Sequence, residues 1–183
     1  TATNAGGSLL VGKGTGAGGG SVTITTTSNK DAQGIYGGRT VFTSDGGTNV
    51  DWATTASGGS PYTLSAYSGY TALPSSGGSS SVNYRMTAAT TLGDSFAVNT
   101  LKLETPTGDL GLGGYTLTIS GGGLLMTGTT TNNISGAGAL TAGNGSGSYD
   151  LVVHQSNTGS LAISAVISNN VAGAVTNAVR LVK

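Results

Sequence analysis

Apolar and polar residues alternate in short stretches along much of this chain. In each stretch, apolar residues stand two positions apart with a polar or small residue between them, which is the pattern of a strand with one buried face. The stretches cover residues 22–24, 101–104, 117–120, 161–163 and 179–181, with a fuller apolar run at 151–153. Good helix formers are rare and glycine interrupts almost every window, so the pattern predicts an all-β chain without helices.

Clusters of small residues separate these stretches. The 34 glycines concentrate partly in residues 121–123, 136–138 and 143–147, which we predict to be turns. A composition rich in Gly, Ser and Thr is also typical of disordered linkers. However, hydrophobic residues reach 36% and recur in regular short clusters, so the chain has enough apolar side chains to form a core.

The spacing of the leucines indicates how the strands are arranged. They recur at short, uneven intervals at Leu103, Leu117, Leu124, Leu140, Leu151 and Leu161. Such spacing favours a right-handed parallel β-helix (a β-solenoid), in which each coil of about 20–30 residues holds two or three short strands. An antiparallel sandwich or barrel is the alternative, with strands every ~8–12 residues. We favour the solenoid because aromatic residues make up only 5% of the chain, and aliphatic side chains suit a narrow core.

Residues 50–75 depart from this regularity, and we predict an irregular, aromatic-rich insertion there. It contains the single tryptophan, two of the three prolines and several tyrosines. Its aromatic residues of interest are Trp52, Tyr62, Tyr67 and Tyr70. If they share one exposed face, they are candidates for contact with a carbohydrate or a protein partner. The alternative is that they pack an irregular loop.

Charge and composition exclude several classes of function. Seven basic and seven acidic residues give zero net charge, so there is no basic surface of the kind that binds nucleic acid or anionic lipid. No apolar run reaches 18 residues, so we expect no membrane insertion. The absence of cysteine excludes disulfides and thiolate metal sites. The scarcity of Lys and Glu is typical of exported surface proteins.

Residues with catalytic potential are sparse. The acids are scattered singly, and His154 is the only histidine, so a triad or a histidine metal site would depend on it alone. The alternation after Leu151 predicts instead a histidine on the surface of a strand. Gly14, Gly16 and Gly19 match G-x-G-x-x-G, a match that so many glycines produce by chance. We therefore predict no enzyme activity and no catalytic, metal or cofactor site.

Several segments resemble those of a known protein family, both in amino-acid sequence and in their order along the chain. The family-like segments are 34–38 (GIYGG), 51–54 (DWAT), 66–71 (AYSGYT), 98–103 (VNTLKL), 112–122 (LGGYTLTISGG), 134–140 (ISGAGAL) and 150–154 (DLVVH). Together they resemble the large secreted bacterial proteins that carry autotransporter-associated β-strand repeats. The resemblance covers roughly residues 34–183. It implies a right-handed parallel β-helix, a location outside the cell and no activity of its own.

These expectations combine into one domain over residues 1–183, with 1–33 forming an additional coil or a terminal strand. The leading hypothesis is an extracellular structural or adhesive protein that contacts cell-surface or matrix components. A second hypothesis is a filament subunit that assembles with itself end to end. Its candidate assembly strand near the C-terminus carries Val179, Leu181 and Val182. A third hypothesis is a carbohydrate-binding module.

Overall fold

Strands make up all the regular structure in the described part of the chain. A computed structural model describes residues 8–12, 25–55, 60–104, 108–156 and 158–183, and within these ranges there is no helix. The strands, in chain order, are β1 Leu9–Gly12, β2 Thr25–Thr26, β3 Thr40–Thr43, β4 Val50–Thr55, β5 Tyr62–Ala66, β6 Thr71–Ala72, β7 Asn83–Met86, β8 Thr90–Thr91, β9 Phe96–Leu103, β10 Leu110–Gly111, β11 Thr116–Met126, β12 Asn132–Ser135, β13 Ala139–Ala142, β14 Tyr149–Gln155, β15 Leu161–Ile163, β16 Val166–Ile167, β17 Asn170–Ala172, β18 Val175–Asn177 and β19 Val179–Val182.

The all-β prediction is thereby confirmed for the described residues. The stretches predicted at 101–104, 117–120, 151–153, 161–163 and 179–181 lie in or overlap β9, β11, β14, β15 and β19. The predicted strand at 22–24 and the G-x-G-x-x-G match lie outside the described residues.

The largest sheet is parallel and is organised around β11. The first part of β11 pairs with β9 on one side and β13 on the other, and its last part pairs with β9 and β14. The register with β9 shifts between Ile119 and Gly123, where Gly122 adopts a left-handed φ of 74°. The prediction of a turn at 121–123 is therefore wrong. These glycines bend a continuous strand, because a residue without Cβ reaches positive φ at little cost.

A second parallel sheet contains β8, β10, β12 and β15 in that order. In it, Leu110 pairs with Thr90, 20 residues earlier, and with Ile134, 24 residues later. Ile134 in turn pairs with Ile163. Strands that are distant in the chain thus pair in parallel in each of these two sheets.

Aliphatic side chains stack in register between these sheets. Leu101 of β9 pairs with Leu124 of β11, which pairs with Val153 of β14. Leu101 and Leu124 are fully buried, and both belong to one apolar cluster that also takes in Ile134 from the second sheet. Each buried leucine stabilises the fold by about 1.5–3 kcal/mol through removal of its side chain from water.

The irregular insertion predicted at residues 50–75 contains regular strands where the structure describes it. Strand β4 pairs antiparallel with β3 and with β5. The sequence signal was misleading because the two prolines lie outside the strands, Pro61 directly before β5 and Pro74 after β6, whereas Trp52 and Tyr62 lie within β4 and β5. Strand β1 extends this unit by pairing with β3 in parallel. We call β3, β4 and β5 the antiparallel cover.

The antiparallel cover packs against the outer face of the large parallel sheet. Its buried residues Val41 and Trp52 form a second apolar cluster together with Ile35, from the segment before β3, and Leu125 of β11. Leu125 points away from the main core because it alternates with Leu124 and Met126. Its position therefore explains how one sheet can be apolar on both faces.

Candidate functional site

The aromatic residues proposed as contacts do not form one exposed platform. Trp52, on β4, has no exposed surface and lies edge-on to His154, with 5.6 Å between the ring centroids. Burial leaves its indole no face for a sugar ring. Tyr67 and Tyr70 make a T-shaped pair at 5.0 Å and are half-buried. Tyr62 lies apart, at the start of β5, where it pairs with Thr26. The contacts of Trp52, Tyr67 and Tyr70 therefore match the packing alternative.

Tyr70 belongs to a cluster of charged groups between the cover and the large sheet. Lys102 of β9 places its Nζ 2.6 Å from Asp51 Oδ1 and 3.2 Å from Glu104 Oε1. The Tyr70 hydroxyl donates a hydrogen bond to the same Asp51 oxygen at 2.9 Å. Arg85 completes the cluster through Glu104, with its Nη1 3.3 Å from Oε2. We call Asp51, Tyr70, Arg85, Lys102 and Glu104 the charged clasp.

The charged clasp brings together acids that are distant in sequence. Lys102 is almost buried, and both of its carboxylate neighbours are ion-paired. Burial raises the pKa of the Tyr70 hydroxyl, and the adjacent Asp51 carboxylate raises it further, so this phenol stays protonated. A paired acid and a phenol held protonated are suited to joining two elements. A phenol held protonated is not set up to take a proton from a substrate.

A second ion-paired site lies on β14 of the large sheet, next to β19. The Asp150 side chain, on β14, is buried and contacts the guanidinium of Arg39. On its other side, Arg180 of β19 donates from Nε to Asp150 Oδ1 at 2.6 Å. One carboxylate therefore ties β19 and the segment before β3 to β14.

His154 lies on the outer face of β14, as the alternation predicts. It is not a solvent-facing side chain, however, because the antiparallel cover lies over it and leaves it half-buried. Burial lowers the pKa of the His154 imidazole, and a hydrogen bond with the Gly38 backbone opposes this only partly. Within the described residues, neither His154 Nε2 nor Trp52 Nε1 has a hydrogen-bond partner. A neutral imidazole in this position fits a packing role.

The predicted assembly residues lie on β19. This strand pairs in parallel with β14, and in the described part of the chain its other edge has no partner strand. Leu181 is 56% exposed, whereas Val179 and Val182 are half-buried. Val179 packs against the main core. Val166, on β16, is 63% exposed.

In the described ranges, no three His, Asp or Glu side chains come together as a group that could hold a metal ion. Nor do those ranges contain a helix long and apolar enough to cross a membrane.

Comparison with known proteins gave no match. No family model, no curated protein and no solved structure is similar enough to this chain to place it.

Proposed function

We propose that this chain is a non-enzymatic structural element: a three-faced, right-handed parallel β-solenoid that holds a rigid shape outside the cell. The observation that carries the proposal is the repeated return of the chain to the same parallel sheets. Leu101, Leu124 and Val153 occupy equivalent positions on three successive returns. Thr90, Leu110, Ile134 and Ile163 do so on four.

Such a stack supports a mechanical role. Each coil forms backbone hydrogen bonds with the coils before and after it, so stiffness accumulates along the stack without large side chains. The right-handed sense follows from the general preference of parallel crossover connections, of which about 98% are right-handed.

The charged residues support the same interpretation. Lys102 and Asp150, both buried in the sheet's outer face, each join two or more separate segments of the chain. Their partners are Asp51 of the antiparallel cover, Glu104 after β9, Arg39 before β3 and Arg180 of the last strand. Ion pairs of this kind fix register between elements.

The extracellular location and the likeness to autotransporter-associated repeat proteins are part of the proposal. They rest on the quoted segments and on a composition with only seven basic and seven acidic residues. The partners that fit are cell-surface or matrix components. Antibody labelling of intact producing cells tests the location. Labelling without permeabilisation is expected, and a signal that appears only after lysis would contradict it.

A filament subunit is a second candidate, favoured by the exposed edge of β19. An unpaired strand edge that carries the exposed side chain of Leu181 is able to accept a strand from another copy. Such head-to-tail contacts do not close, so they build fibres. Electron microscopy of the purified chain at high concentration should show filaments. A Leu181→Lys variant should weaken or abolish them, because it places a charge on the exposed part of this edge and leaves the Arg180–Asp150 ion pair in place. Uniform single particles at every concentration would exclude this candidate.

A further inference from the structure

A groove of about 300 Å³ lies where the chain bends between strands, and it is separate from the charged clasp. It lies between the segment that precedes β3 and the bends of several successive returns. The side chains that matter for its chemistry are Asp31, Gln33, Ser80, Ser120, Asn144 and Tyr149. We call it the corner groove.

Buried asparagines fix the wall of the corner groove. Asn83 donates from Nδ2 to the Gln33 carbonyl at 2.9 Å, and it accepts at Oδ1 from Asn99 Nδ2 at 2.7 Å and from the Thr100 hydroxyl at 2.8 Å. This connected network ties the segment around Gln33 to two neighbouring strands. The groove is therefore formed before any ligand arrives, which lowers the entropic cost of binding.

The one acidic group of the groove is already engaged. Asp31 Oδ1 accepts hydrogen bonds from the backbone N–H groups of Gln33 and Ile35, each at 3.0 Å. No basic residue lines the groove. Because no cation neighbours this carboxylate, its negative charge disfavours an anionic ligand. Because its Oδ1 already accepts two backbone hydrogen bonds, the carboxylate is also a poor ligand for a cation.

Several other polar side chains at the groove remain unpaired. Within the described residues, the Gln33 amide and the hydroxyls of Ser80, Ser120 and Tyr149 make no side-chain hydrogen bond. An amide and three hydroxyls supply both donors and acceptors. The half-buried ring of Tyr149 adds an aromatic surface beside them, held where Gly122 and Gly143 leave room for it.

We infer that the corner groove binds a neutral saccharide, one or two sugar units in size. Sugar hydroxyls both donate and accept hydrogen bonds, as these side chains do, and sugar C–H faces pack on aromatic rings. The volume lies at the lower end of the range for small-ligand pockets, about 300–1,000 Å³. This inference goes beyond the proposed scaffold role and stands without it. It also places a carbohydrate contact away from Trp52.

Saturation-transfer NMR on the intact 183-residue chain tests this site. A panel of neutral mono- and disaccharides at up to ~10 mM is expected to yield at least one binder, with a Kd in the millimolar range or tighter. Tyr149→Phe and Gln33→Ala should each weaken that binder about three- to tenfold, because each removes one hydrogen-bonding group. Tyr115→Phe, which removes the hydroxyl of a tyrosine outside the groove, is the matched control and should leave affinity unchanged.

Three results would overturn the inference. They are the absence of saturation transfer to every neutral sugar, binding that both groove variants retain in full, and binding restricted to charged glycans. Thermal unfolding of each variant confirms that it is folded. If Tyr149→Phe fails to fold, Ser120→Ala replaces it with the same expected loss.

Discussion

Two glycines decide how closely the antiparallel cover approaches the large sheet. A Cβ built on Gly123 would lie 2.5 Å from the Cα of Gly38 and 2.8 Å from the Trp52 ring, so neither glycine leaves space for a side chain. The missing side chains allow Trp52 to fill the interface with no exposed surface. At the residue scale, the close packing of the cover on the sheet depends on the absence of side chains at Gly38 and Gly123.

Gly123→Ala should therefore destabilise the chain by about 1–3 kcal/mol, through overpacking against backbone and a rigid ring. Urea unfolding measures the change. Gly93→Ala is the control, because its Cβ would meet only Ser75 O at 3.7 Å, an ordinary contact. The control should be neutral or slightly stabilising. Equal stability of the two variants would contradict the close contact at Gly38.

His154 should give the stability a pH dependence. Burial lowers the folded-state pKa of His154 below its ordinary value of 6.5. As pH falls through that value, the unfolded chain therefore takes up a proton that the folded chain does not. Stability should decline as pH falls through about 6.5 and level off once the folded form is protonated as well. Unfolding curves between pH 7.5 and 5.5 measure this, and His154→Gln should flatten the dependence. An unchanged slope in that variant would assign the effect to other groups.

At the scale of elements, the central strands β9 and β11 of the large sheet have buried side chains on both faces, one towards the main core and one towards the antiparallel cover. On β11, Leu124 and Met126 face the main core, whereas Leu125 faces the antiparallel cover. On β9, Lys102 occupies the position that pairs with Leu125. The cover is thus held to the sheet by apolar contacts at β11 and by the charged clasp at β9.

Removing an inward leucine should be far more costly than removing an outward valine. Leu124→Ala is expected to lose about 2–5 kcal/mol, because it leaves a cavity between β9 and β14. Val166→Ala, at a position 63% exposed, should change stability by less than about 0.5 kcal/mol. Chemical denaturation of both variants checks the difference. Similar losses would mean that Leu124 does not lie in a packed core.

Tyr70→Phe tests the charged clasp. It removes the hydroxyl that donates to Asp51 at 2.9 Å and should cost about 1–3 kcal/mol, since that bond is to a charged acceptor in a partly buried place. Tyr115→Phe, at a hydroxyl without a hydrogen bond in the described part of the chain, should be neutral. Thermal unfolding of the two variants compares them, and a neutral Tyr70→Phe would remove the clasp as a source of stability.

The positions of the strands could be predicted from the sequence, but the contacts between strands distant in sequence could not. Alternation at 101–104 and 161–163 reports burial on one face, and burial decides strand formation there. It could not report that 121–123 bend within β11, since glycine clusters usually mark turns. Nor could it find the charged clasp or the corner groove. Asp51 and Lys102 are 51 positions apart, and only strand pairing and packing bring them to 2.6 Å.

At the scale of the whole molecule, stability has two parts of different kinds. The parallel stack of β6 to β16 relies on repeated aliphatic contacts, whereas the antiparallel cover is attached through one apolar cluster and a few ion pairs. Elements with fewer buried contacts open more readily. Hydrogen exchange should therefore be faster in β4 than in β11. Equal protection of the two strands would show that the cover and the stack unfold as one unit.

The central claim is that successive returns of the chain stack as parallel strands in register. Interstrand nuclear Overhauser effects on the isotope-labelled chain test it most directly. The account predicts amide-to-Hα connectivities of the parallel type that link Leu101 to Leu124 and Leu124 to Val153. Close Hα–Hα contacts between β9 and β11 or between β11 and β14, the mark of antiparallel pairing, would contradict it.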